Sequence, residues 1–216
     1  SSSIPAFHDM LARLFEPQLG VTMAAEPKDE PMELDTPSGP VTVPGAWPQV
    51  TLSTAQPAGR RFPTRDFRGQ GEVAATIATL GRGRIAAVYG PVAPGFLRGH
   101  HPGIRRFIGD LAARLFPDPA VTVEAPPTVD AALRRTADGR LALHLLNRTG
   151  FPVPDRYNFT DYLPAVGPVK VGLKLEARPK SVRWLPEGSD LKWAWKDGLL
   201  ETSVPAVKIH GILVID

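Results

Sequence analysis

A chain of 216 residues with 24 prolines, 20 glycines and no cysteine has room for one large domain or two modest ones, at about 100–200 residues each. It cannot form disulfides, use a thiolate or build a Cys-based zinc site; this much proline argues against a mostly helical protein, and no run approaches the roughly 18 apolar residues of a membrane span. The net charge of +3 is polarised, with −5 over residues 1–59, +7 and ten arginines over 60–114, and +1 over 115–216.

Residues 4–15 read as an amphipathic helix. Phe7, Met10, Leu11, Leu14 and Phe15 recur at i, i+3, i+4 spacing. Ser3 can cap it, and Pro5 suits its first turn. The proline-rich stretch 26–49 leads into an open loop at 57–70, with short extended pieces predicted at 32–35, 40–43 and 49–54. Strands are predicted at 72–79 and 84–89, joined by the glycines of GRGR at 81–84. The apolar run IAAVYG reads as a strand buried on both faces. Residues 102–116 form a helix with Ile104, Phe107, Ile108, Leu111 and Leu115 on one face and Arg105, Arg106, Asp110 and Arg114 on the other.

After Pro117 the pattern changes. Strand-like segments follow at 120–124, 129–136, 140–147, 168–176, 179–185, 191–195, 199–204 and 207–215. Asp138-Gly139 and Asp197-Gly198 are hairpin signals. Eight short strands without a helix predict an antiparallel β-sandwich. The irregular stretch 148–166 is long for a compact domain, which points to function or to packing on a neighbour. A domain boundary therefore falls near 117–119.

The order of these pieces carries a resemblance. The hairpin GRGRIAAVYGPV leads through an irregular link, APGFLRGHHP, to the helix HPGIRRFIGDLAARLF. PAVTVEAPP, LRRTADGRLALHLLNRTG, VGLKLEARPKSVRWLP and SVPAVKIHGILVID follow. This resembles the C-terminal half of bacterial glycoside hydrolases built like family 42 β-galactosidases, most closely over 72–147. The resemblance implies an α/β domain over 1–118, a partial amidotransferase-like, flavodoxin-like trimerisation domain. An all-β domain over 119–216, the antiparallel β-sandwich, would follow. It also implies a catalytic barrel outside this chain, a β-galactosidase-like parent enzyme and a non-catalytic role in assembly. No cofactor is expected. The expected partners are the rest of the parent chain or other copies of itself. The location implied is the bacterial cytoplasm, although an N-terminus that looks truncated leaves secretion open.

The candidate chemistry is sparse. Glutaminase chemistry needs a cysteine nucleophile and is excluded. Asp66, Glu72 and Asp161 match no family catalytic motif and read as loop and turn acids, so no catalytic residue is assigned. An independent small hydrolase is the remotest alternative. Trp193 and Trp195, two apart on one strand, share a face; with Trp184 nearby they make either a sandwich core or a sugar-stacking row. In the second case the chain would be a carbohydrate-binding module for an oligosaccharide, helped by Phe159, Asp161 and Tyr162 in the long loop. Arg98, His100 and His101 are candidates for a contact with another subunit or the barrel. His100 and His101 point apart, which is poor geometry for one metal. His8, His144 and His210 are spread along the chain and read as helix or core residues, so no metal site is expected. Asn147-Arg148-Thr149 is a chance glycosylation sequon. The arginines of 60–114 lie on a loop, a hairpin and a helix without interleaved aromatics, so they are expected to face the acidic N-terminal block rather than nucleic acid.

Overall fold

The computed structural model describes residues 16–24, 26–150 and 162–216. The helix expected over 4–15 lies outside them. The chain divides into two compact units, Ser1–Pro117 and Asp118–Asp216. Strand makes up 46% and helix 13%, so the protein is mostly β.

In the first unit a five-stranded sheet has the order β4-β3-β7-β8-β9. Its strands are β3 (Met32–Leu34), β4 (Val41–Val43), β7 (Gln56–Phe62), β8 (Glu72–Leu80) and β9 (Gly83–Val88). Two small ribbons add β1 (Val21–Met23) paired with β6 (Val50–Leu52), and β2 (Lys28–Asp29) paired with β5 (Ala46–Trp47). The helices are a single turn α1 (Glu16–Leu19), α2 (Val92–Gly99) and α3 (Pro102–Leu115). One apolar cluster joins Ala75, Ile77 and Ala86 of the sheet to Val92, Ile104, Phe107 and Leu111 of the helices. A second joins Ala78, Ile85 and Ala87 to Leu19, Val21, Met23 and Val50. Ile85 and Ala87 thus face one cluster and Ala86 the other, but β9 is not buried on both faces as expected: these three are only half-buried and Val88 is exposed.

Three further expectations for this unit need correction. The parallel sheet of a flavodoxin-like α/β domain is not evident among the described residues, where every strand pairing is antiparallel. Its strands are joined by hairpins and short links, without the crossover that parallel neighbours need. The open loop at 57–70 contains β7. Proline and glycine ordinarily argue against a strand interior, but here Pro57 and Gly59 sit at irregularities of the β7–β8 register. A Cβ at Gly59 would stand 2.6 Å from the Phe107 ring, so the missing side chain is what lets α3 press onto the sheet. The link after Pro91 is the helix α2. Pro94 falls in its first turn, where an absent N–H costs nothing, and His100 ends it at φ 49° with its N–H on Phe96 O at 2.6 Å.

The second unit is a sandwich of two antiparallel sheets. One has the order β10-β13-β17-β16 and the other β11-β12-β18-β14-β15. The first contains β10 (Val121–Glu124), β13 (Val169–Lys174), β16 (Trp193–Lys196) and β17 (Leu199–Val204). The second contains β11 (Val129–Arg135), β12 (Leu141–Asn147), β14 (Val182–Leu185), β15 (Ser189–Asp190) and β18 (His210–Ile215). Inward residues of both, including Leu143, Leu145, Val171, Leu173, Trp184, Leu200 and Leu213, form one core. No helix of the described residues is long and apolar enough to cross a membrane.

Among the buried polar side chains, Arg61 in the first unit and Asn147 in the second tie distant segments together. Arg61 is 1% exposed. Its Nη1 donates to Tyr89 O at 2.9 Å and its Nη2 to Pro48 O at 2.8 Å. Nε and Nη2 both donate to Glu72 Oε2, at 3.1 and 3.0 Å, and the guanidinium lies 4.9 Å from the Trp47 ring centre. Lys28 Nζ takes the other Glu72 oxygen at 2.9 Å. Burial draws the Arg61 pKa down, opposed by the hydrogen bond and charge of Glu72. Burial pushes the Glu72 carboxyl up, but hydrogen bonds from Lys28 and Arg61 outweigh it and hold the group below its ordinary 4.5. In the second unit Asn147 is fully buried. Its Nδ2 donates to Pro164 O at 2.8 Å, Lys208 O at 2.9 Å and Val207 O at 3.2 Å, and its Oδ1 accepts from Thr149 N at 3.0 Å.

Arg61→Met is expected to cost the first unit about 1–3 kcal/mol, the usual loss when buried acceptors, here Tyr89 O and Pro48 O, are left without a donor. The measurement is the urea midpoint at neutral pH. Because the folded Glu72 pKa is depressed, its contribution is complete above the unfolded value near 4.5 and is lost as pH falls through the folded value. Glu72→Gln should therefore flatten the acid limb of the stability–pH curve, and an unaltered limb would contradict this assignment. Asn147→Ala is expected to destabilise the second unit by about 1–3 kcal/mol, and more if several of the stranded backbone groups stay dry.

Candidate functional site

The tryptophans are placed by sheet register. Trp193 stands opposite Thr202 and Trp195 opposite Leu200. Across the same sheet Thr202 and Leu200 are in line with Val171 and Leu173, and these with Val123 and Val121. Leu200, Val171 and Leu173 are core residues, so both tryptophans face inward. They are half-buried and pack on the sandwich core, where Trp184 is buried outright over Gly211. Arg178 covers the Trp193 ring at 5.5 Å. Both rings thus pack on the sandwich core. The outward rows of the sheet carry Thr122, Glu124, Lys170, Gly172, Ala194 and Glu201, which line a cleft of about 520 Å3 bordered by Trp193.

Of the loop candidates, Phe159 and Asp161 lie outside the described residues. Tyr162 is 79% exposed. Asn147 clamps both ends of the stretch, through Thr149 on one side and Pro164 on the other.

Arg98, His100 and His101 form the elbow between α2 and α3. His101 is the N-cap of α3, its Nδ1 accepting from Gly103 N at 3.1 Å. His100 is the C-cap of α2 and meets the Phe96 ring edge-on at 5.2 Å. The two histidines thus end different helices and cannot converge. Arg98 is exposed; with His101 it rims an open cleft of about 310 Å3 against β4, floored by Val41, Val43 and Ile104.

Of the acids considered for catalysis, Asp66 and Glu72 are engaged by arginines. Asp66 is held below its ordinary pKa chiefly by hydrogen bonding from Arg68, and Glu72 is shared by Arg61 and Lys28. The arginine block is likewise answered within its own unit. Arg60 pairs with Asp35 at 3.0 Å and Arg65 with Glu33 at 3.5 Å, and Arg106 donates to Ser38 at 2.7 Å. Two of the ten arginines thus meet acids of the N-terminal block, while Arg61, Arg68 and Arg114 pair with acids of their own block. Gly81, at φ 59°, sits in the hairpin turn between β8 and β9. Among the described residues no group of three or more potential metal ligands gathers.

Sequence reasoning missed one meeting of side chains. His144 of β12 and His210 of β18, read as unrelated core residues, face each other with Nδ1 and Nε2 3.1 Å apart. The only available signal was that both fall on strands that a sandwich can pair.

No protein family and no curated protein matches the sequence. Among solved structures, the chain is similar to α-L-fucosidase isoenzyme 2 from Paenibacillus thiaminolyticus, with a TM-score of 0.76 and 16% identity over 92% of this chain and 33% of the fucosidase. It is also similar to Gan42B, a GH42 β-galactosidase from G. stearothermophilus, in a catalytic-mutant structure, with a TM-score of 0.49 and 15% identity over 94% of this chain and 24% of that one. The fold is therefore glycoside-hydrolase-like, and the chain spans about a third of the fucosidase's length.

An inward Trp195 has a testable consequence. Its indole Nε1 is buried without a hydrogen-bond partner. Trp195→Phe removes the stranded donor and keeps most of the apolar contact, so it should leave stability within about 1 kcal/mol. Trp195→Ala should cost about 3 kcal/mol through lost packing. Chemical denaturation of both variants separates this from an exposed platform, for which both would be nearly neutral.

Proposed function

We propose that this chain is a non-catalytic, accessory portion of a glycoside-hydrolase-like protein of carbohydrate metabolism. The observation that carries the proposal is the shared fold with the α-L-fucosidase over nearly the whole of this chain but only a third of that enzyme. The local chemistry agrees. Glycoside hydrolysis needs two carboxyl groups facing each other across a sugar-sized site, about 5–10 Å apart. Asp35 and Asp110 share a cleft of about 400 Å3 in the first unit. Asp35 is bound to Arg60, however, and Asp110 has Arg114 4.0 Å away on the next helical turn. Each carboxylate is thus already engaged by an arginine of its own unit.

On this reading the chain supports a catalytic domain supplied by the parent protein, in the cytoplasm, through contacts with that domain or with other copies of the chain. The elbow at Arg98, His100 and His101 is the surface we assign to assembly. The inward tryptophans weigh against the carbohydrate-binding alternative.

The test has two parts. The isolated chain should not hydrolyse aryl α-fucosides or β-galactosides. Turnover that vanished in Asp35→Asn or Asp110→Asn would instead mark an independent hydrolase. Within the full-length parent, Arg98→Ala with His101→Ala should lower the oligomer mass seen by light scattering. An unchanged mass would remove the elbow from the interface.

A further inference from the structure

His144 and His210, 66 residues apart in sequence, meet on the outer face of the five-stranded sheet. Their strands are neighbours in its interior, with β11 on one flank and β14 on the other. His144 stands between Leu143 and Leu145, which point into the core, so its ring points out. His210 lies opposite Leu146, one row along the same face. His144 is held by ladders on both sides, opposite Ala132 and Ile212, and His210 by its pairing with Leu146, a more precise support than a loop provides.

The rings are arranged in an unusual way. Their planes are within 14° of parallel and their centres are 5.3 Å apart, while His144 Nδ1 and His210 Nε2 are only 3.1 Å apart. The centre-to-centre distance exceeds the nitrogen gap by about two ring radii, so the imidazoles meet edge to edge in one N–H···N bond. One facing nitrogen must then carry no proton. A bare imidazole nitrogen beside a second ring nitrogen is a donor pair suited to the later first-row divalent metals.

We propose that His144 and His210 form a two-ligand site for Cu2+, Ni2+ or Zn2+, bound through His144 Nδ1 and His210 Nε2 and completed by water. With metal–nitrogen bonds of about 2.0–2.1 Å, nitrogens at adjacent corners of the coordination shell lie roughly 3 Å apart, close to the spacing already present. The rings need only tilt until their lone pairs converge on the solvent side, and His210 is exposed enough to do so. Each ring binds as neutral imidazole, its proton moving to the nitrogen turned away, so no net proton is released. The charged groups facing the pair from adjoining strands are Asp130 and Arg134 of β11 and Arg183 of β14. Asp130 is engaged by Arg148 Nη1 at 3.0 Å and lies beyond Leu146, which is why the protein supplies two ligands and not three. A bound ion would clip β12 to β18 at the centre of the sheet.

Calorimetric titration of the tag-free chain with each metal chloride tests the site, alongside thermal melts with and without metal. One ion per chain should bind and raise the melting temperature. His144→Gln or His210→Gln should weaken binding about tenfold or more and abolish the thermal shift, while His100→Gln and His101→Gln leave both in place. Melts in EDTA matching the parent protein establish that the variants are folded. Absence of binding in the parent chain, or undiminished binding in the double variant His144→Gln/His210→Gln, overturns the proposal.

Discussion

The first unit is organised around a positive charge that has been taken out of water. A guanidinium buried to 1% exposure survives only if its donors are met and its charge is answered, since desolvating an ion costs several kcal/mol. Arg61 meets that condition by drawing in the backbone before β6 at Pro48, the residue after β9 at Tyr89 and the first residue of β8 at Glu72. Trp47 closes over it from the short ribbon. Segments with little apolar surface of their own are thereby held to the sheet. The proline-rich region can be mostly irregular and still have a defined path.

The second unit solves a different problem with the same economy. Its two sheets bury alternate residues, so parity along each strand decides what is core and what is surface. That parity takes Trp193 and Trp195 inside and sends Gly172, Ala194 and Glu201 out. Asn147 then closes the long connection between β12 and β13. An amide does this where an apolar residue could not, because three carbonyls and an N–H converge on it. The second proline-rich excursion is thus tied down at its roots, by a residue whose sequence context suggested only a chance sequon.

The parts that were legible from sequence have strong local periodicity. The α3 face of Ile104, Phe107 and Leu111 repeats at 3.6 residues and the sandwich strands at 2, while the glycines of GRGR mark the β8–β9 turn. What was not legible depended on distant contacts. β7 looked like loop because Pro57 and Gly59 are breakers; only the Phe107 ring over Gly59 explains why they are there. α2 looked irregular because Pro94 and Gly95 sit in an eight-residue helix. The direction of strand pairing was read from a resemblance, and local pattern does not distinguish parallel from antiparallel neighbours when both faces are covered.

Sequence by itself excluded cysteine chemistry, placed a long amphipathic helix and a run of alternating strands, and located the proline-rich connections. These follow from composition and short-range periodicity. Tertiary structure alone decided that Arg60 meets Asp35 and Arg65 meets Glu33, that the paired tryptophans pack on the core, and that His144 and His210 meet. Each of these depends on register between segments tens of residues apart, and register is set by how whole strands align to fill a common core. No pattern within one strand carries that information.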